Sequence, residues 1–177
     1  TQDGYLWVGT FSGLARFDGV TFRAFDTVEN PELRDSAFRT MFEDRRGRLW
    51  LGHHNGQLTF YERGRFTPQM PPVGWPNLEI DSFVEDGSGQ IWVMNRGGWM
   101  ARIKMGAAEA LVRPQADHLV NHLFIDVTGQ LWAHRDFLVL PLRADGSQVD
   151  DKLNSIRGRG PMVACASRVG GIWVADT

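Results

Sequence analysis

Short apolar runs alternate with compact polar turns along the whole chain, and no stretch keeps a helical 3.6-residue spacing for long. The runs "FRTMFE" (38–43), "IDSFVE" (80–85), "VNHLFI" (120–125) and "PMVACA" (161–166) each lead into a polar turn. A second run carrying a tryptophan follows, then further short runs broken by glycine, as in "GQLTFYERGRFTP" (56–68). Runs of four to six residues bounded by turn formers predict strands, about four in each unit. The patch "MGAAEALV" (105–112) is helix-like in composition but sits where the fourth strand of its unit belongs.

The units repeat. Trp7, Trp50, Trp92, Trp132 and Trp173 follow one another at spacings of 43, 42, 40 and 41 residues. A glycine stands three places before each, at Gly4, Gly47, Gly89, Gly129 and Gly170. Asp44, Asp86 and Asp126 stand six places before, whereas Thr1 and Ser167 occupy that place in the outer copies. A unit of this length buries its apolar face only by stacking on its neighbours. The reading is all-β: a β-propeller fragment of four-stranded antiparallel blades with a repeat of about 41 residues. The D-x-x-G turn joins the first and second strands, its aspartate accepting backbone N–H groups and its glycine adopting a left-handed conformation. The tryptophan then seals the contact between blades, provided its indole N–H finds an acceptor.

By this register residues 1–27 hold the last three strands of one blade, and 160–177 the first two of another. Whole blades are expected at 37–70, 78–110 and 118–150. Open β edges predict aggregation, pairing with another copy as a homodimer, or closure on itself, and a complete ring would need six to eight blades. Trp7, in an incomplete blade, is expected to contribute less to stability than Trp50 or Trp92.

Composition narrows function without naming it. A net charge of -2, with 17 arginines spread along the chain, gives no reason to expect nucleic acid. Cys165 is the lone cysteine; no internal disulfide is possible, and its apolar run suggests a place in the core. No phosphate loop, nucleophile elbow or paired-carboxylate motif appears, so no cofactor and no catalytic residue is expected. His53 and His54 are adjacent and no third ligand has zinc spacing, so no metal is expected either. His122 reads as a hydrogen-bonded structural histidine.

The segment "DGYLWVGTFSGLARFDGVTFRAFD" (3–26) resembles the two-component regulator propeller repeat, through Gly4, Leu6, Trp7, Gly9, Thr10, Gly13, Leu14, Arg16, Phe17, Asp18, Gly19 and Phe22. The second copy keeps Gly47, Leu49, Trp50, Gly52, Gly56, Tyr61, Gly64 and Phe66; in the third Met94 replaces a glycine, and the fourth is weaker still. The resemblance implies an extracytoplasmic, periplasmic sensor domain of a bacterial inner-membrane protein. Further blades, a β-sandwich and a histidine kinase or diguanylate cyclase module would complete such a chain. Some members of the family sense polysaccharide fragments.

Ligands of propellers meet the face built by loops entering each first strand and leaving each second strand. Here the exits are "HHNG" (53–56), "NRGG" (95–98) and "HRDF" (134–137), while "TFSG" (10–13) is plain. His53, His54, Asn55, Asn95, Arg96, His134, Arg135 and Asp136 are therefore expected on one rim with Arg39 and Asp81, which stand eleven places before their tryptophans. With Trp75 and Trp99 nearby, such a rim suits an oligosaccharide, a peptide or another small ligand. Arg96 and Arg135 in matched loops suit the carboxylate or sulfate of an acidic glycan. The plain alternative is that loop tips are polar because they face water. Two other functions stay open: a lyase of the streptogramin-inactivating kind, with His53, His54 or His134 as base, and a protein-interaction scaffold.

Overall fold

A computed structural model describes residues 1–104, 107–112, 122–135, 138–147, 155–158, 162–169 and 171–176. Gly170, Asn121 and Asp136 lie outside them, as does the side chain of Arg135. The first sheet pairs β1 (Leu6–Thr10), β2 (Gly13–Phe17) and β3 (Phe22–Phe25) in chain order. After a single 3-10 turn at Pro31–Leu33, the second sheet contains β4 (Phe38–Glu43), β5 (Leu49–His53), β6 (Leu58–Glu62) and β7 (Arg65–Gln69). The third contains β8 (Ile80–Glu85), β9 (Ile91–Asn95), β10 (Met100–Lys104) and β11 (Ala107–Val112). The fourth contains β12 (His122–Ile125), β13 (Leu131–Arg135), β14 (Leu138–Pro141) and β15 (Ile156–Arg157), and the fifth pairs β16 (Met162–Ala166) with β17 (Ile172–Asp176). Every pairing is antiparallel.

The helix-like patch is a strand. Ala107–Val112 pairs with β10, and the ladder overrides helix propensity. The fourth sheet extends past residue 150 because a turn at Arg143–Ser147 and the segment after it separate β14 from β15.

The alternation along each second strand explains how the sheets stack. In β9, Ile91 and Val93 pack toward the second sheet with Trp50, Leu58 and Phe60, while Trp92 and Met94 pack toward the fourth with Leu123 and Leu140. Both faces are covered, so the strand reads as a continuous apolar run rather than an alternating one. Trp50 and Trp92 are each 1 % exposed. Close approach is part of the design: a Cβ on Gly52 of β5 would lie 2.7 Å from Ile80 of β8.

Trp7 departs from expectation. It is buried with Leu14, Phe25 and residues of the second sheet, stacked 5.4 Å from the Phe25 ring and edge-on to Tyr61 at 4.8 Å. Three strands are enough to cover it, because its cover comes from its own sheet's β2 and β3 and from the second sheet. Trp173 departs the other way. It is 66 % exposed, since no further sheet of the described chain lies against its face. Cys165, one strand over and directly opposite it, is likewise exposed rather than in the core.

The D-x-x-G turn holds more bonds than its glycine and backbone alone require. Gly4, Gly47, Gly89 and Gly129 all have φ between 76° and 85°. Asp44 Oδ1 accepts the amides of Arg46 and Arg48, both at 3.0 Å, while its Oδ2 accepts the Trp50 indole N–H at 2.9 Å. Asp86 repeats this with Ser88, Gln90 and Trp92, and Asp126 with Thr128, Gln130 and Trp132. The acceptor each indole needs is thus the aspartate six residues before it. For Asp44 burial acts to raise the carboxyl, but the Trp50 indole, the Arg48 amide and the Arg48 guanidinium outweigh it and hold the group below its ordinary value.

Candidate functional site

The rim opposite the D-x-x-G turns is built by backbone bonds between the two loop classes. His54 N–H donates to Ala37 C=O at 3.0 Å, and Arg96 N–H donates to Glu79 C=O at 2.8 Å. These two exit loops are thereby tied to the residue just before a first strand. Two of the expected rim residues serve these turns. Asn55 Oδ1 accepts the Gln57 amide at 3.0 Å, and Asn95 Oδ1 accepts the amides of Gly97 and Trp99 at 3.0 and 3.1 Å. Asn95 is fully buried.

His53 is buried as well. Its Nε2 lies 2.9 Å from Thr59 Oγ1 and its ring packs 4.9 Å from Phe38. Burial pushes its imidazole down to about 4, against the opposing pull of Asp35, so it is neutral at physiological pH. His134 is buried on β13, opposite the exposed His122 on β12. Neither His53 nor His134 offers a ring to a ligand.

Four of the expected residues do come together, around one that repetition did not flag. Glu79 lies directly before β8 with its side chain 16 % exposed. His54 Nε2 stands 2.9 Å from its Oε1. Arg96 donates from one Nη to both carboxylate oxygens, at 3.1 and 3.0 Å. Arg39 Nε lies 3.5 Å from Glu79 and 3.6 Å from Asp81, linking the starts of the second and third sheets. Arg96 is therefore not a free guanidinium, because Glu79 of its own blade supplies a counter-charge; the side chain of Arg135 lies outside the described residues.

The aromatic complement also differs from expectation. Trp75 is buried and donates its indole N–H to Gly56 C=O at 3.2 Å, and Trp99 packs against the core between the second and third sheets. The exposed ring is Phe11, in the loop that reads as plain. It is 67 % exposed and meets His54 edge-on at 5.7 Å. Its signal lay in hydropathy, since a phenylalanine in a glycine-bounded turn has little to bury against. For Glu79 the signal was a break in the repeat: thirteen places before Trp50 stands Ala37, and thirteen before Trp92 stands an acid. Among the described residues no cluster of three or more metal-ligating side chains forms.

Stacked four-stranded antiparallel sheets with a charged face at one end define a β-propeller fold whose loop rim is the natural contact surface. A family model for the two component regulator propeller matches residues 32–55, which span β4, its D-x-x-G turn and β5. Within those residues the chain is similar to this family's propeller repeat. The match falls on the second copy, the one after the stretch whose resemblance is densest.

Solved structures agree on the fold. The extracellular domain of a candidate one component system from B. thetaiotaomicron superposes with a TM-score of 0.75 at 20% identity, over 99% of this chain and 25% of that one. The extracellular domain of a candidate hybrid two component system from the same organism gives 0.69 at 17% identity, over 98% and 25%. A catalytically inactive virginiamycin B lyase from Staphylococcus aureus, solved with quinupristin, gives 0.77 at 11% identity, over 99% and 61%. The chain thus spans about a quarter of the first of these proteins. No curated protein matches it. No helix among the described residues is long and apolar enough to cross a membrane.

Proposed function

We propose that this chain is part of a non-catalytic sensing propeller, the periplasmic region of a bacterial membrane signalling protein whose output is a histidine kinase or a diguanylate cyclase. The observation that carries the reading is the family match at 32–55, on a fold shared with extracellular domains of one- and two-component systems. The rim of Phe11, Arg39, His54, Glu79, Asp81 and Arg96 is its ligand face, where an exposed ring and hydrogen-bonding charges suit an oligosaccharide or another small polar ligand. Screening the purified chain against glycans and then peptides tests it. Binding that Phe11→Ala and Arg39→Ala both weaken supports a rim sensor. Binding of a folded protein alone, indifferent to both changes, moves the reading to a scaffold.

One observation favours a second reading. His54 is exposed and bonded to a carboxylate, the pairing that would orient a general base in a propeller lyase. Turnover of a streptogramin that His54→Gln abolishes would establish that reading, and its absence in the unsubstituted chain removes it.

A further inference from the structure

Glu79 is crowded by more donor groups than one carboxylate needs. Arg96 grips both of its oxygens, His54 reaches Oε1, and Arg39 approaches Oε2. These three side chains are 66 %, 46 % and 46 % exposed, so they stand at the surface while the acid they surround is mostly covered. Among the described residues Asp81 is the other acid in contact, through Arg39. Two guanidiniums thus face two carboxylates, so these four groups balance in charge.

We infer that Arg39, His54 and Arg96 form a carboxylate-binding site which Glu79 occupies as a resident ligand, so that an incoming carboxylate, such as that of a uronic acid sugar, is recognised by replacing it. This deepens the rim reading and rests on it. Arg96 reaches both oxygens of Glu79 from one Nη, a charge-assisted contact that the carboxylate of a ligand could accept in its place. A glutamate on a flexible stem at the edge of a strand can swing aside, and the exchange of one carboxylate for another leaves the cluster's charge balanced. Phe11, edge-on to His54, supplies the apolar surface on which the body of a sugar ring would rest. A neutral sugar gains nothing from displacing Glu79, so the resident acid acts as a filter for charge.

The test uses glucuronate and glucose as probes. Neutralising the resident acid with Glu79→Gln leaves the cations unanswered, and glucuronate affinity is expected to rise about tenfold or more while glucose is unaffected. Adding Arg96→Gln to that variant is expected to cancel the gain. In the unsubstituted chain, the Glu79 side-chain carboxyl carbon, followed by NMR, is expected to shift along the glucuronate binding curve. This readout needs no variant, so it stands even if Glu79→Gln fails to fold. Equal glucuronate affinity with and without Glu79 overturns the inference, as does a Glu79 resonance that ignores bound glucuronate. Should neutral glycans bind the rim while glucuronate never does, the inference falls and the sensing reading survives. Rim variants that alter no binding of any glycan remove both.

Discussion

Replacing the repeated aspartate separates its electrostatic role from its hydrogen-bonding role, because the three copies differ in one neighbour. Asp44 carries a buried ion pair, Arg48 Nε to Oδ2 at 2.6 Å, with both side chains at 4 % exposure or less. Gln90 and Gln130 take the place of Arg48 beside Asp86 and Asp126, whose second oxygens accept their indoles at 3.0 and 2.9 Å. Asp→Asn keeps an oxygen for the two backbone amides but turns an NH2 toward the indole N–H. At Asp86 and Asp126 the loss is therefore one part-buried bond, about 0.5–1.5 kcal/mol. At Asp44 the same change also strips the carboxylate from a buried guanidinium, which costs about 3–5 kcal/mol. Urea unfolding of the three variants, followed by circular dichroism, is expected to rank Asp44→Asn well below the other two. The acid limb supplies an independent check. All three carboxyls are held below their ordinary value, so each adds stability that is fully present above the ordinary carboxylate pKa of about 4 and is lost as pH falls through the lowered folded value. Each Asn variant is expected to lose part of that acid sensitivity. Equal and small losses at all three positions, with unchanged acid limbs, would refute the clamp.

Three further outcomes follow from burial. Trp→Ala at Trp7, Trp50 or Trp92 is expected to cost about 3–5 kcal/mol, whereas Trp173→Ala costs under about 1, as thermal unfolding would show. His53, with its folded value depressed to about 4, adds stability that is present above about 6.5 and lost as pH falls toward 4; the loss is at most about 3 kcal/mol, and His53→Gln is expected to flatten it. Gly52→Ala is expected to cost about 1–3 kcal/mol by overpacking Ile80, measured by denaturant midpoint.

What the sequence made legible is what the structure uses in every copy. Trp50, Asp44 and Gly47 meet the same demand as Trp92, Asp86 and Gly89, so spacing alone exposed the turn, the strand and the stacking direction. The bond from aspartate to indole was split into two separate needs, because a pattern shows that both residues recur and not that they touch. Copies that lack a neighbour depart from the pattern in both directions. Trp7 is covered by its own and the next sheet, and Trp173 and Cys165 are bare, although alternation treats the three alike. The rim was legible only as a location. Its central acid, Glu79, occupies a position where the preceding copy has alanine, so the repeat carries no sign of it. Trp75 and Trp99 show that an aromatic in a loop can be core, and Phe11 shows that a turn without charges can hold the exposed ring.

The two ends of the sheets follow different rules, and a matched pair of substitutions exposes the difference. At the D-x-x-G end, the first two turns each offer an amide to a glutamate of the next sheet. Gln2 N–H donates to Glu43 at 2.8 and 2.9 Å, and Arg45 N–H donates to Glu85 at 2.7 Å, with Arg45 Nε 3.1 Å from the same carboxylate. At the next step Ile125 stands in the glutamate's place, and Gly87 instead approaches Gly129, where a Cβ would lie 3.4 Å from the Gly87 Cα. These bonds join sheets and leave the opposite rim untouched. Glu85→Ala removes a charge-assisted bond to a covered carboxylate and is expected to cost about 1–3 kcal/mol of stability, with rim binding unchanged. Glu79→Gln acts on a more exposed cluster at the other end, where ion pairs contribute little to folding, so it is expected to move stability by under about 1 kcal/mol while changing binding. Measuring denaturation midpoints and glycan isotherms on both variants decides the matter. If Glu85→Ala weakened the ligand as much as the fold, strain would be crossing from one end of the sheets to the other, and the division between a structural end and a recognition end would be wrong.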